Sequence, residues 1–201
     1  MKENTVLIIG GGTGGHITPG IALYEKFREK GIPVRFLTGK NDVRFGSLAD
    51  VSEEDLRLYG APSLFRNIFS LPSFAVRFLF ATVKAYRMIR RENIQSVIGM
   101  GGYVSAPALV AAKLAKISIF LCEQNSVPGK VTVKMAPYAS RIFSTFEGST
   151  GYFPEETRGR IMITGNPIRK KIQSLVKKDD ARKKFNLQHC GSIVLVIGGS
   201  Q

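Results

Sequence analysis

Directly after the apolar run Val6-Leu7-Ile8-Ile9 stands Gly10-Gly11-Gly12-Thr13-Gly14-Gly15-His16, which leads into Ile17-Thr18-Pro19-Gly20 and a helical pattern. Glycines carry no Cβ, so a ligand can approach the backbone closely, and a helix that starts there aims its free N–H groups at an anion. His16 stands at the mouth of the loop, where a neutral imidazole can take a proton from a bound hydroxyl. Gly10, Gly12 and Gly15 formally satisfy the G-x-G-x-x-G spacing of dinucleotide sites. That fingerprint also needs an acid at the end of the second strand to hold the ribose. Here the second strand, Val34–Leu37, runs on through Thr38-Gly39-Lys40-Asn41 before Asp42 arrives. The loop reads as a phosphate or sugar site and not as a nicotinamide dinucleotide site.

A second set repeats the pattern. Ser96-Val97-Ile98 reads as a strand ending in Gly99-Met100-Gly101-Gly102-Tyr103-Val104-Ser105-Ala106-Pro107, with Ser105 as N-cap of a helix reaching about Lys116. Two strand–glycine loop–helix units in one parallel sheet put two anion-competent helix starts on the same rim. The strand Ile119–Cys122 delivers Glu123-Gln124-Asn125 there as well.

The elements that must position these groups follow from periodicity. Four β-formers in a row at 6–9 read as a strand buried on both faces. Thr18 as N-cap and Pro19 at the first helical position predict a helix over Pro19–Lys30, closed by Gly31. Short strands are expected at Leu56–Tyr59, Arg141–Ser144 and Arg160–Ile163, with a helix over Gly129–Pro137. From Lys170 to Gly191 the chain turns polar and basic and reads as a linker with a short helix near Asp179–Phe185. Ile193–Ile197 then reads as a new buried strand ending in Gly198-Gly199-Ser200-Gln201, the opening of another strand–glycine loop unit.

Composition narrows the partners. Lys and Arg number 29 against 15 Asp and Glu, a net charge of +14, which favours a polyanion: nucleic acid, an anionic membrane surface or a phosphorylated substrate. No recognised nucleic-acid-binding motif accompanies the charge. Two cysteines, Cys122 and Cys190, fit a reduced compartment and offer neither zinc-ligand spacing nor a disulfide framework. The first strand starts within a few residues of Met1, so no signal peptide is expected, and no apolar run nears the roughly 18 residues of a membrane span.

Much of the charge falls on residues 72–92. Arg77, Lys84 and Arg91 recur every seven residues with Arg87 beside them, so on a helix they share one stripe, and Phe80 lies inside it. Upstream stand further apolar residues, Phe69 among them. One reading is a core helix with a solvated basic face. The other is a monotopic surface whose aromatics enter the headgroup layer while its cations meet lipid phosphates.

The glycine loop 11–16, the 99–105 loop, Glu123-Gln124-Asn125, Gly165-Asn166-Pro167-Ile168-Arg169 and Gly198-Gly199-Ser200-Gln201 occur here in one order. Together they closely resemble the bacterial family of transferases that add N-acetylglucosamine to undecaprenyl-pyrophosphoryl-N-acetylmuramyl-pentapeptide, over nearly the whole chain apart from residues 40–70. The resemblance implies a GT-B glycosyltransferase: a Rossmann-like α/β domain with a parallel sheet and helices on both faces, facing a second such domain across a cleft. Residues 1–165 would be the acceptor-binding domain, 166–191 a linker, and 192–201 the first strand and loop of a donor-binding domain. It implies an inverting transfer from UDP-N-acetylglucosamine to lipid I, forming the β-1,4 bond of lipid II on the inner face of the bacterial cell membrane, with no metal and no cofactor beyond the donor substrate. On this resemblance His16 would be the general base. Thr13, Gly14, Gly15, Asn125, Arg169 and Ser200 would bind the donor, and Gly101, Gly102, Tyr103, Ser105 and Glu123 the acceptor. Phe69, Arg77, Phe80, Lys84 and Arg87 would meet the membrane. For Glu123 an orienting hydrogen bond within the rim is an equal alternative. With the donor half lying outside these residues, the chain is expected to bind acceptor or membrane without transferring sugar. A related glycolipid transferase and a non-catalytic subunit of a split transferase remain the other readings.

Overall fold

A computed structural model describes residues 4–44, 46–60, 71–173 and 176–196. Among them seven parallel strands form one sheet in the order β3-β2-β1-β4-β5-β6-β7. The strands are β1 (Thr5–Ile9), β2 (Val34–Gly39), β3 (Leu56–Tyr59), β4 (Ile94–Gly99), β5 (Ser118–Glu123), β6 (Arg141–Ser144) and β7 (Ile161–Ile163). Strand order reverses between β1 and β4, which pair directly, Leu7 beside Val97 and Ile9 beside Gly99. In an open α/β sheet the crevice outside the carboxyl ends of such strands is where ligands bind. Both glycine loops leave the sheet at that point.

Alternation along β1 separates the two cores. Leu7 and Ile9 face α2 (Leu71–Arg91) and α3 (Ala106–Ala115), among Ala81, Ala85, Ile89, Ala108 and Leu109. Ile8 faces α1 (Gly14–Glu29), packing with Ile17, Ile21, Phe36, Ile98 and Met100. Helices thus cover both faces of a Rossmann-like sheet. Smaller helices follow: α4 (Lys130–Met135), α5 (Glu155–Arg158), α6 (Lys170–Gln173) and α7 (Lys178–Lys184).

The start of α1 differs from expectation. Thr13, with an extended backbone, is the N-cap; Gly14 and Gly15 are already helical, and Thr18 and Pro19 lie inside the helix. Glycine's poor helix propensity argues for a later start, but burial overrides it: Ile17, Pro19, Gly20 and Ile21 are packed against the sheet. The bond Pro19 cannot make is the one to the Gly15 carbonyl. The strand expected at 193–197 differs too. Its described part, 193–196, joins no strand, and Val194 and Val196 are 88% exposed. On that side the sheet ends at β7, and the apolar run does not extend it.

At the opposite end of the sheet from the crevice a polar cluster fixes β2 and β3 against α1. Asp55, buried, accepts from Tyr24 Oη at 2.8 Å and Ser52 Oγ at 2.9 Å, and pairs with Arg35 and Arg28. Removing the carboxylate takes the acceptor from the Tyr24 and Ser52 hydroxyls and leaves Arg35 only its ion pair with Glu92 at 3.4 Å. Asp55→Ala is therefore expected to cost about 2–3 kcal/mol, read as a lowered urea midpoint with an unchanged slope.

Candidate active site

The first glycine loop turns back on itself at Gly12, whose φ of +87° suits glycine alone. The second loop carries two more such residues, Gly101 at +89° and Gly102 at +76°. The loops then meet backbone to backbone: a Cβ on Gly102 would stand 2.6 Å from the Gly11 carbonyl oxygen. His16 fills the angle between them. A Cβ on Gly101 would lie 3.1 Å from its Cδ2 and 3.2 Å from its Nε2, and one on Gly102 3.1 Å from its Nδ1. The imidazole rests on the two glycines, and any side chain there would displace it.

Thr13 occupies the N-cap of α1, yet its hydroxyl makes no capping bond and lies 3.0 Å from His16 Nδ1. The N–H groups that begin α1 at Gly14 and Gly15 have no partner within the helix, as at any helix start. Burial lowers the His16 pKa below its usual value of 6.5, while the Glu123 charge and a hydrogen bond to the Gly11 backbone pull the other way. The ring is neutral at neutral pH and able to accept a proton.

Glu123, at the end of β5, is buried and saturated. Its carboxylate accepts from Asn125 N and Nδ2, both at 3.0 Å, and from Gly129 N at 2.9 Å. These bonds fix the turn and aim the exposed Asn125 at the rim, so of the two readings of Glu123 the geometry favours the orienting one. Ser105 is likewise buried, and its hydroxyl donates to the Gly102 carbonyl at 2.8 Å, holding the second loop from within. Tyr103 lies over the first loop, 3.3 Å from where a Gly12 Cβ would stand. A cavity of about 460 Å³ opens beside Glu123 and Gln124, walled by Leu23, Phe27, Cys122 and Phe143. Burial pushes the Cys122 thiol up to about 12, so it stays protonated and inert.

The structure therefore brings Thr13, Gly14, Gly15, His16, Gly101, Gly102, Tyr103, Ser105, Glu123 and Asn125 to one rim. Arg169 is not among them. Its buried guanidinium pairs with Glu25 at 2.5 Å and Asp50 at 2.8 Å, tying the segment after β7 to α1. Contact with a donor at Arg169 would first have to break both pairs. Phe69 and Ser200 lie outside the described residues. Arg77, Phe80, Lys84 and Arg87 are all exposed on α2. One residue that sequence reasoning passed over is Asp42, set aside as too far along the chain to hold a ribose. Its carboxylate is turned inward and accepts from the Gly12 amide. The signal was present in its spacing, three residues beyond Gly39 and close after a strand end, where an Asp side chain can bond the backbone of the turn that leads to it.

Strand order and paired glycine loops define a Rossmann-like domain shaped for an anionic ligand at its switch point. The Glycosyltransferase family 28 N-terminal domain matches residues 6–144, and the chain belongs to that family. It is 34% identical over 197 residues to the UDP-N-acetylglucosamine–N-acetylmuramyl-(pentapeptide) pyrophosphoryl-undecaprenol N-acetylglucosamine transferase of Halothermothrix orenii, covering 98% of this chain and 53% of that protein. To the enzyme of the same name from Geobacter metallireducens it is 35% identical over 204 residues, covering 97% and 52%. The chain spans about half the length of the curated relatives it matches. Among solved structures, MurG of Acinetobacter baumannii superposes with a TM-score of 0.66 at 23% identity, over 88% of this chain and 47% of that one. UDP-GlcNAc 2-epimerase of Methanocaldococcus jannaschii gives 0.62 at 14%, over 81% and 45%. At such identities the likeness speaks for the fold.

The electrostatics of His16 make a prediction with a definite sign. Its imidazole should titrate below 6.5 by NMR, and Glu123→Gln, which removes the charge that favours the imidazolium, should move the midpoint lower still. Because the folded value is depressed, the ring's contribution to stability is intact above 6.5 and is lost as pH falls through the folded pKa.

Proposed function

We propose that these residues form the acceptor- and membrane-facing half of an inverting N-acetylglucosaminyltransferase that uses UDP-N-acetylglucosamine and lipid I to make lipid II in peptidoglycan synthesis. The observation that carries the reading is the neutral His16 imidazole seated on Gly101 and Gly102 where the two glycine loops meet, beside the start of α1. In the tautomer whose Nδ1 donates to Thr13 Oγ1, 3.0 Å away, Nε2 keeps its lone pair for the acceptor hydroxyl. Nε2 takes that hydroxyl's proton as the oxygen attacks the anomeric carbon from the face opposite UDP. The new C–O bond forms as the bond to the diphosphate breaks, and UDP leaves with the electron pair. Fixed amides and the start of a helix stabilise such an anion. The names of the curated relatives support the choice of donor and acceptor.

The membrane-bound acceptor needs a docking face, and we assign it to α2, placing the protein peripherally on the inner face of the bacterial cell membrane. Phe80 is 70% exposed and Leu79 62%, with Val76, Val83 and Tyr86 also outward, among the exposed cations Arg77, Lys84 and Arg87. Among the described residues no helix is long and apolar enough to cross a membrane. Apolar side chains flanked by basic ones suit the headgroup layer of an anionic leaflet.

Three outcomes test this. The chain should bind lipid I in detergent saturably, and Gly102→Ala should weaken that binding about tenfold or more, since its φ of +76° and the Gly11 carbonyl both reject a side chain; a wild type that does not bind would sink the assignment. Phe80→Ala with Arg87→Glu should reduce co-sedimentation with anionic vesicles about tenfold, and unchanged binding would return α2 to a solvated helix. With lipid I and UDP-N-acetylglucosamine the 201-residue chain should release no UDP; release would show the donor side to be complete within it.

A further inference from the structure

Asp42 is a buried carboxylate with no part in the chemistry above. It lies in the 3-10 turn Lys40–Arg44 that follows β2. The Gly12 amide donates to both of its oxygens at 3.1 Å, and Oδ2 also accepts from Gly39 N at 3.0 Å and Thr38 Oγ1 at 2.9 Å. Two glycines make the room: a Cβ on Gly11 would stand 2.5 Å from Oδ2, and one on Gly39 2.9 Å. Hydrogen bonds to an ionised carboxylate are roughly twice as strong as neutral ones. They act here on Gly12, in a conformation that a free glycine loop would occupy only in passing. Gly12 leads to Thr13, the N-cap whose hydroxyl meets His16.

We propose that Asp42 is a positioning residue: by fixing Gly12 it sets the start of α1 and holds the His16 imidazole against Gly101 and Gly102. The same contact withdraws the Gly12 amide from any ligand, so a bound diphosphate must be met by the amides at the start of α1. The catalytic consequence rests on the reading of His16 as proton acceptor; the structural claim does not.

The 201-residue chain itself serves for the test. In Asp42→Asn an NH2 replaces one accepting oxygen: at the Oδ1 position it sets a donor against the Gly12 amide, and at the Oδ2 position it takes the acceptor from Gly39 N and Thr38 Oγ1. In the folded variant the Gly12 amide should exchange with solvent about tenfold faster or more. The His16 midpoint should rise toward 6.5 as the ring loses its cover. Direction separates position from charge, because removing a negative charge alone lowers an imidazole's pKa. Glu123, the charged group facing His16, is unaltered. Thr38→Val removes one donor while nearly keeping the side chain's shape. It should move both readouts the same way by less, and it decides the matter if Asp42→Asn does not fold. A lowered melting temperature with Gly12 exchange and the His16 midpoint unchanged would make Asp42 structural only and overturn the proposal. The functional reading fails separately, by the wild type not binding lipid I, since neither loop readout needs a ligand.

Discussion

The close approach of the two glycine loops is the constraint on which the rest of the site depends. With Gly102 a Cβ's width from the Gly11 carbonyl, β1 and β4 can lie side by side and still send their loops across the same point. That contact creates the angle in which His16 rests, and it takes the ring far enough out of water to keep it neutral. Replace Gly11 or Gly102 and the loops must part, because the neighbour each would strike is a buried carboxylate or backbone, while a side chain on Gly101 would crowd the imidazole itself. The glycines serve less as flexible hinges than as absences of bulk.

Rigidity in such a loop has to come from elsewhere, and two buried carboxylates supply it. Asp42 collects the amides of Gly12 and Gly39 with the Thr38 hydroxyl; Glu123 collects both nitrogens of Asn125 and the amide of Gly129. Each stands at the carboxyl end of a strand and turns inward to gather backbone donors. An isolated buried charge would be costly, but several N–H donors replace the lost water. A division of labour follows under the proposed function: the acids shape the site, and the imidazole, with Nε2 bordering Gly101, is left for the chemistry.

Elements with one dominant local cause were legible in the sequence. The four β-formers of β1, the strand at Arg141–Ser144 and the glycine loops as ligand-facing turns needed only periodicity and the absence of Cβ. The start of α1 did not follow, because a tertiary contact placed glycines in a helix against their propensity. Arg169 read as a ligand group because its motif says nothing of Glu25 and Asp50, which lie more than a hundred residues earlier and reach it only in the fold. Asp42 was judged by its distance along the chain from a ribose site, whereas its partners are its own turn and a loop thirty residues away.

The packing of α2 bears on its outer face more directly than its charge does. A helix covering a sheet ordinarily buries its largest apolar side chains and leaves small or polar ones outside. Here the fully covered positions are Ala81, Thr82, Ala85 and Ile89, set against Ala108, Ala111 and Ala112 of α3. Small residues let two helices approach closely, and they use up the inward stripe. Val76, Leu79 and Phe80 stand outside, on the same surface as Arg77, Lys84 and Arg87. Scattered singly, exposed apolar residues need no explanation. Gathered on one helix whose most buried positions are largely alanine, they form an apolar surface that no other described element covers, ringed by cations, and it is this surface that the proposed membrane docking uses.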